Sequence, residues 1–160
     1  MKVKLVILKP GEHWLSDKPA EDGYWGFVRC KKDYEDEKST LRKEFEELIG
    51  DLKKEGRNIE LLPGILEIQR EDDAIENFRK LKTPDVDVNI IFAVEGFPDL
   101  DIIVAGSKNV IFFDKFKPNI YWGTLFLPPY YQELKSKGNA KNVFLVEGNW
   151  EKLKSILRGI

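Results

Sequence analysis

Short, nearly continuous apolar runs alternate with amphipathic stretches along this chain. Runs of this kind, without the polar alternation of a half-exposed strand, are typical of parallel strands that are buried on both faces. The chain contains five of them, which predict strands at Val3–Leu8, Ile59–Leu62, Val88–Val94, Val110–Phe113 and Val143–Val146.

Apolar residues at helical spacing lie between these runs and predict the helices. Residues 10–37 form a long, aromatic-rich connection that we expect to be irregular, and its charged run Lys31–Lys38 is interpreted as a solvated face. Ser39 or Thr40 is expected to cap the first helix, which Gly56 ends. Four further helices are predicted within residues 71–81, 98–106, 125–136 and 150–157.

Strands that alternate with helices indicate a parallel sheet covered on both faces. Because crossover connections are right-handed, a doubly wound, flavodoxin-like strand order 2-1-3-4-5 is favoured. We therefore expect an α/β fold with a five-stranded parallel sheet, and residues 1–160 as a single domain. The chain ends directly after a predicted helix, which suits a domain of a longer protein, although small natural proteins also end in this way.

The balance of charges narrows the range of partners. Lys and Arg number 26 against 28 Asp and Glu, a formal net charge of −2, which argues against binding to nucleic acid by phosphate neutralisation. No apolar run approaches the roughly 20 residues that span a bilayer. Cys30 is the only cysteine, which excludes an internal disulfide and a cysteine-based metal cluster. We expect a cytoplasmic protein with no membrane partner, and the many lysines and glutamates favour a thermophilic source.

In a sheet of this order, ligands bind beyond the carboxyl ends of the first and third strands, where the strand order reverses. The segment after the first strand carries Glu12, His13 and Trp14, and Glu95 follows the third strand. His13, the only histidine, can bind a ligand or exchange a proton near neutral pH. The structural alternative is an ordinary loop histidine that is hydrogen-bonded to the backbone.

Acidic residues end three of the predicted strands. Glu95, Asp114 and Glu147 could together hold a divalent cation through oxygen ligands. Helix capping, or pairing with lysines such as Lys9 and Lys115, is favoured instead, because no spacing matches a defined metal-binding loop. We therefore predict no metal site in this chain.

Aromatic residues are concentrated in the same connections. Exposed aromatic side chains beside polar groups are suited to stacking on sugar rings or to a subunit interface, and a packed satellite cluster under the loops is the structural alternative. The set comprises Trp14, Tyr24, Trp25, Phe97, Phe116, Tyr121, Trp122, Tyr130 and Tyr131. The chain contains no dinucleotide fingerprint, P-loop or nucleophile elbow, and we predict no cofactor for it.

Three segments resemble one enzyme group. Gly11–Trp14, after a first parallel strand, resembles the G-x-Q-H-hydrophobic loop that opens L-arabinose isomerases. Phe112–Phe116 is similar to the segment of that family in which a strand ends in a polar stretch followed by Gln-Phe. Asn142–Gly148, followed by a helix, is similar to the end of the first domain in the L-fucose and L-arabinose isomerase group.

The resemblance implies an N-terminal domain that packs against a neighbouring subunit and helps to close a sugar pocket. Glu12 falls on the glutamine position that contacts sugar, His13 on its neighbour, and Phe116 on the phenylalanine after the polar stretch. The chain departs from the pattern at Glu12 and Lys115, where the family has glutamine. In the group, Mn²⁺ and the aldose–ketose chemistry belong to later domains, and a lone histidine does not supply that metal site.

We therefore expect the N-terminal domain of a sugar isomerase-like protein that forms a homo-oligomer and binds sugar through Glu12, His13, Trp14, Glu95 and Phe116. No catalytic residue is predicted in this chain, which alone should not isomerise a sugar. Two alternatives remain open: a stand-alone small-molecule-binding or regulatory module, and a small enzyme that uses Glu95 and His13 as acid and base.

Overall fold

A computed structural model describes residues 1–11, 17, 28–69, 73–94, 99–118 and 122–160 of the chain. Strands and helices follow one another in the α/β manner that the sequence predicts. The strands are β1 (Lys2–Lys9), β2 (Glu60–Leu61), β3 (Leu66–Gln69), β4 (Val88–Ala93), β5 (Val110–Asp114) and β6 (Val143–Glu147). The helices are α1 (Lys31–Lys54), α2 (Ala74–Leu81), α3 (Leu100–Ala105), α4 (Leu127–Ser136) and α5 (Trp150–Gly159), with a short 3₁₀ helix at Trp122–Thr124.

All pairings in the sheet are parallel, and the strand order is β2-β1-β4-β5-β6. β3 pairs with the second half of β1, on the same side as β2. Together β2 and β3 occupy the place of one strand, so the arrangement is the flavodoxin-like, doubly wound order predicted from the sequence.

Helices cover both faces of the sheet, and each face has its own apolar core. On one face, α1 and α5 pack against the sheet around Phe45, Phe113 and Trp150. The ring centroids of Phe113 and Trp150 are 4.7 Å apart, and those of Phe45 and Phe113 are 5.9 Å apart. On the other face, α2, α3 and α4 cover side chains such as Ile91 and Phe112. The strands between these layers are buried on both faces, which explains their continuous apolar composition.

The first helix begins eight residues before the predicted cap, at Lys31 rather than after Ser39. In the run Lys31–Lys38 only Tyr34 is fully buried, and it extends the apolar stripe of α1 by two turns before Leu41. The charged residues around it lie largely on the solvated side, as interpreted, but they belong to the helix and not to an irregular connection.

The predicted second strand is interrupted. β2 ends at Leu61, and Pro63 and Gly64, the latter at φ +72°, turn the chain before β3 resumes the pairing with β1. Since proline donates no backbone hydrogen bond and glycine favours a left-handed turn, the strand breaks at these two residues. β3 and the 3₁₀ helix are the two elements that the apolar pattern does not predict.

Replacing Asp73 by alanine should lower the free energy of unfolding by about 1 kcal/mol. Its carboxylate accepts hydrogen bonds from the amides of Ile75 at 2.8 Å and Glu76 at 3.1 Å, at the start of α2. Asp99 occupies the same position before α3 without a side-chain cap hydrogen bond, so Asp99→Ala is the matched control and should change little. Urea denaturation of both variants measures the difference; equal losses would contradict the capping role.

Candidate functional site

The strand order reverses between β1 and β4, and this crevice is where doubly wound sheets bind ligands. Leu8 and Ala93 are direct partners at the carboxyl end of the pair, and the amide of Val94 donates to the carbonyl of Leu8 at 3.1 Å. Pro10, Gly11 and Val94, the next residues of the two strand ends, are buried. The ends of β1 and β4, which Glu12 and Glu95 follow in the sequence, therefore lie side by side at this edge of the sheet.

The 3₁₀ helix covers the end of β4. It packs so closely that a Cβ on Gly123 would lie 2.4 Å from the Ala93 carbonyl oxygen and 2.5 Å from that of Val94. Because the Val94 amide donates to Leu8 of β1, this cover reaches the residue of β4 that borders the crevice.

The ends of β5 and β6 are tied together in the same way. The Gly148 amide donates to the Asp114 carbonyl at 2.6 Å, and a Cβ on Gly148 would lie 2.4 Å from the carbonyl oxygen of Lys117. The peptide bond between Lys117 and Pro118 is cis. This part of the sheet edge is a tightly packed backbone structure rather than an open cleft.

Asp114, the last residue of β5, is a buried carboxyl that organises the turn after the strand. Its carboxyl accepts hydrogen bonds from the Thr124 hydroxyl and, at 3.3 Å, from the Phe116 amide. Burial raises the pKa of Asp114 above its usual value, and these two hydrogen bonds oppose the rise without cancelling it. Asp114 thus joins the 3₁₀ helix to the end of β5.

Glu147, the partner of Asp114 in the β5–β6 register, forms an ion pair with Lys117 at 3.4 Å. The two acidic strand ends that the structure describes are thus engaged by local donors and by a lysine. In the described part of the chain, no group of three or more histidine, cysteine, aspartate or glutamate side chains is placed to hold a metal ion.

Lys115 connects the same sheet edge to α1. Its side chain is only 7% exposed, and its ammonium lies 2.5 Å from Glu37 Oε1 and 2.6 Å from Glu44 Oε2. Burial raises the pKa of Glu37; Lys115 opposes this rise, and the nearby Glu44 adds to it. The apolar pattern gives no sign of this cluster, although Glu37 and Glu44 are seven residues apart and lie on one face of any helix that contains both.

A second charged group lies where β1 and β3 end. The buried Tyr34 donates its hydroxyl to Glu67 of β3, and the Lys38 ammonium lies 3.4 Å from the same carboxylate oxygen. The ammonium groups of Lys38 and Lys9 lie 5.3 and 5.9 Å from the centroid of the Tyr34 ring. Lys9, the last residue of β1, therefore places a positive charge beside the crevice, over an aromatic ring.

Of the predicted sugar-binding residues, Phe116 is the one that the structure describes; Glu12, His13, Trp14 and Glu95 lie outside the described residues. Phe116 is half-buried on the α1 side of the sheet, with its ring centroid 5.9 Å from that of Phe92 in β4. The Lys115 ammonium lies 5.0 Å from the Phe116 ring centroid. Phe116 therefore packs on a side chain of β4, one of the two strands that form the crevice.

The fold and this sheet edge define an α/β protein of the flavodoxin-like, doubly wound class. No protein-family model, curated protein or solved structure matches the chain. Among the described residues, no helix has both the length and the apolar character needed to cross a membrane.

Proposed function

We propose that this chain is the N-terminal domain of a sugar isomerase-like protein and binds a sugar at the crevice between β1 and β4. Glu12, His13, Trp14 and Glu95 supply the polar and stacking contacts, and Phe116 supports the pocket from the end of β5. The chemistry of isomerisation, with its metal ion, belongs to later domains of the longer protein, which is cytoplasmic and homo-oligomeric.

The observation that carries this proposal is the pairing of Leu8 with Ala93. In the sequence, Glu12 comes four residues after Leu8 and Glu95 two residues after Ala93. Both segments start at neighbouring points on one edge of the sheet. A sugar needs several hydrogen-bonding groups that converge on one place, and these two strand ends are the adjacent ends that carry such groups.

Two features of the described residues support the proposal. The 3₁₀ helix packs on the end of β4 at Gly123 and fixes the backbone from which Glu95 follows in the sequence. Phe116, which packs on the buried Phe92 of β4, places one half-buried aromatic ring near the end of that strand. Aromatic rings combined with carboxylates are suited to bind the apolar faces and hydroxyl groups of a sugar.

Titration of the ¹⁵N-labelled chain with L-arabinose and L-fucose tests the site. We expect dose-dependent amide shifts at residues 9, 11–14, 93–96 and 116; Pro10 has no amide proton. Glu12→Ala and His13→Ala should each raise the dissociation constant about tenfold, as expected for the loss of a hydrogen bond to a charged or polar group. Myo-inositol, a polyol with no aldehyde or ketone form, shows whether any polyhydroxylated ring is accepted.

Glu60→Ala is the matched control, because Glu60 is an exposed glutamate that pairs with Lys2 at the opposite end of the sheet. It should leave sugar binding unchanged. Shifts confined to other parts of the chain, an absence of shifts at saturating sugar, or equal losses in all three variants would each overturn the proposed site.

A further inference from the structure

The outer surface of α3 and α4 combines an apolar projection with a groove. The groove, of about 620 Å³, is open and lies between the two helices; Leu100, Pro129 and Leu134 line it together with polar side chains. Leu125 and Phe126, at the start of α4, are 44% and 48% exposed, and Phe126 also borders the groove. Exposed large apolar side chains beside a groove of mixed polarity are characteristic of protein contact surfaces. We call this surface the α4 patch.

The two ends of the α4 patch differ in charge. At the start of α4, Tyr130 donates its hydroxyl to Asp101 at 2.7 Å, and burial together with Asp101, Asp99 and Glu133 raises the pKa of Tyr130. Just after the end of the helix, Lys137 lines the groove. Lys137 pairs with Glu133, and Asp101 adds to the rise in its pKa. Within the described ranges no lysine or arginine forms an ion pair with Asp99, so the end of the patch at Asp99 keeps a negative charge.

A surface with this arrangement is complementary to itself. In a contact between two copies related by a two-fold axis, α4 of one copy runs antiparallel to α4 of the other. Asp99 of each copy then faces Lys137 of the other, and each Phe126 faces the groove of the other copy. The charges and the exposed apolar side chains thus favour the same orientation of the two chains.

The edges of the sheet are less suited to such a contact. The even-numbered residues of β6 direct their backbone groups towards β5, because the Val110 amide donates to Asn142 and the Gly148 amide donates to Asp114. The carbonyl of Leu145 therefore faces outward, away from β5. Lys152 of α5 donates to that carbonyl at 3.1 Å. At the other edge, the Asn77 amide lies 3.4 Å from the carbonyl oxygen of Gln69. Side chains that occupy edge carbonyls in this way oppose the addition of a strand.

We propose that the α4 patch is the contact surface for a second copy of this chain, in a two-fold dimer in which Phe126 enters the partner's groove and Asp99 faces the partner's Lys137. The proposal rests on the described residues of α3 and α4 and is independent of the sugar site between β1 and β4. Loss of the dimer would therefore leave the mapped sugar shifts in place, and loss of sugar binding would leave the dimer in place.

Sedimentation equilibrium of the 160-residue chain tests the contact. We expect the mass to rise with concentration from 18.6 kDa towards twice that value. Phe126→Ala, Asp99→Lys and Lys137→Glu should each weaken the association at least tenfold. The combination of Asp99→Lys with Lys137→Glu should restore it, because the two ends of the patch then exchange their charges and remain complementary.

Ile75→Ala is the matched control: Ile75 is 62% exposed on α2, which covers the same face of the sheet outside the patch. It should leave the association constant unchanged, and thermal melting of every variant confirms that it folds. A chain that stays monomeric up to its solubility limit would overturn the proposal. So would an oligomer that Phe126→Ala leaves intact, or charge reversals that the double variant fails to rescue.

Discussion

Replacing Gly148 by alanine should lower the free energy of unfolding by about 3 kcal/mol, because two independent costs fall on this residue. Gly148 adopts φ +62°, a left-handed conformation that an L-residue enters at a cost of roughly 1–2 kcal/mol. The added Cβ would also lie 2.4 Å from the Lys117 carbonyl oxygen, so the backbone after β5 would have to move. Urea denaturation followed by circular dichroism measures the loss.

Other glycines of the chain separate these two costs. Gly138 has φ +72° and open space around it, so Gly138→Ala should show the conformational cost alone. A Cβ on Gly123 would lie 2.4 Å from the Ala93 oxygen, so Gly123→Ala should show the steric cost alone. Gly50, in the interior of α1 with no atom within 4 Å of an added Cβ, should gain roughly 0.5–1 kcal/mol as alanine. If Gly148→Ala were no worse than Gly138→Ala, the close approach at the sheet edge would be refuted.

The order of the strands could be predicted from sequence because it follows from general rules applied to a clear pattern. β4 and β5 are fully buried and read as continuous apolar runs, and right-handed crossovers leave few ways to arrange five such strands. The structure confirms that order. The interruption between β2 and β3 is different: Pro63 and Gly64 mark a turn, but the four residues of β3 are too few for their pattern to distinguish a strand from a loop.

The start of α1 was not predictable from apolar spacing, because a single buried side chain, Tyr34, holds its first two turns against β3. The Lys115 cluster is hidden for the same reason. Residues 10–37 are expected to be irregular, so the seven-residue spacing of Glu37 and Glu44 does not predict a shared helix face. Charged residues that are buried as a set give no apolar signal, and only the three-dimensional arrangement reveals them.

The position of the candidate site in the sheet could be predicted from the sequence, but the backbone that packs around it could not. Parallel strand order alone puts the ends of β1 and β4 side by side, and the register of Leu8 with Ala93 agrees with that prediction. The cover over the end of β4 depends on Gly123, and the pattern of apolar and polar residues does not indicate how closely this glycine approaches the strand. The roles of Glu12, His13, Trp14 and Glu95 remain predictions.

Replacing Lys115 by methionine should lower the free energy of unfolding by roughly 3–5 kcal/mol at neutral pH, although the apolar stem is largely retained. The substitution leaves the carboxylates of Glu37 and Glu44 close together, and Glu37 largely buried, without the ammonium that lies 2.5 and 2.6 Å from them. An unpaired buried charge costs more than the original pair contributes. Thermal and urea denaturation of the purified variant measure the loss.

The pH dependence identifies the group responsible. Folding raises the pKa of Glu37 even in the presence of Lys115, so the folded state binds a proton there more tightly than the unfolded chain does. Protonation of Glu37 therefore favours the folded state. The ionised carboxylate of Glu37 lowers the free energy of unfolding, and this loss diminishes as the pH falls through the pKa of Glu37 in the folded state. Without Lys115 the pKa of Glu37 rises further, so the loss of stability in Lys115→Met should be largest at neutral pH and should shrink as the pH is lowered.

Adding Glu37→Gln to Lys115→Met gives the decisive comparison, because it removes the buried charge while nearly preserving the side-chain volume. We expect the double variant to recover a large part of the lost stability and to lose the pH dependence. The matched control is Lys154→Met: Lys154 lies between Asp51 and Glu151, which are much more exposed than Glu37, and its loss should cost little. A deficit in Lys115→Met that neither acid nor Glu37→Gln relieves would contradict the unpaired Glu37 carboxylate as its origin.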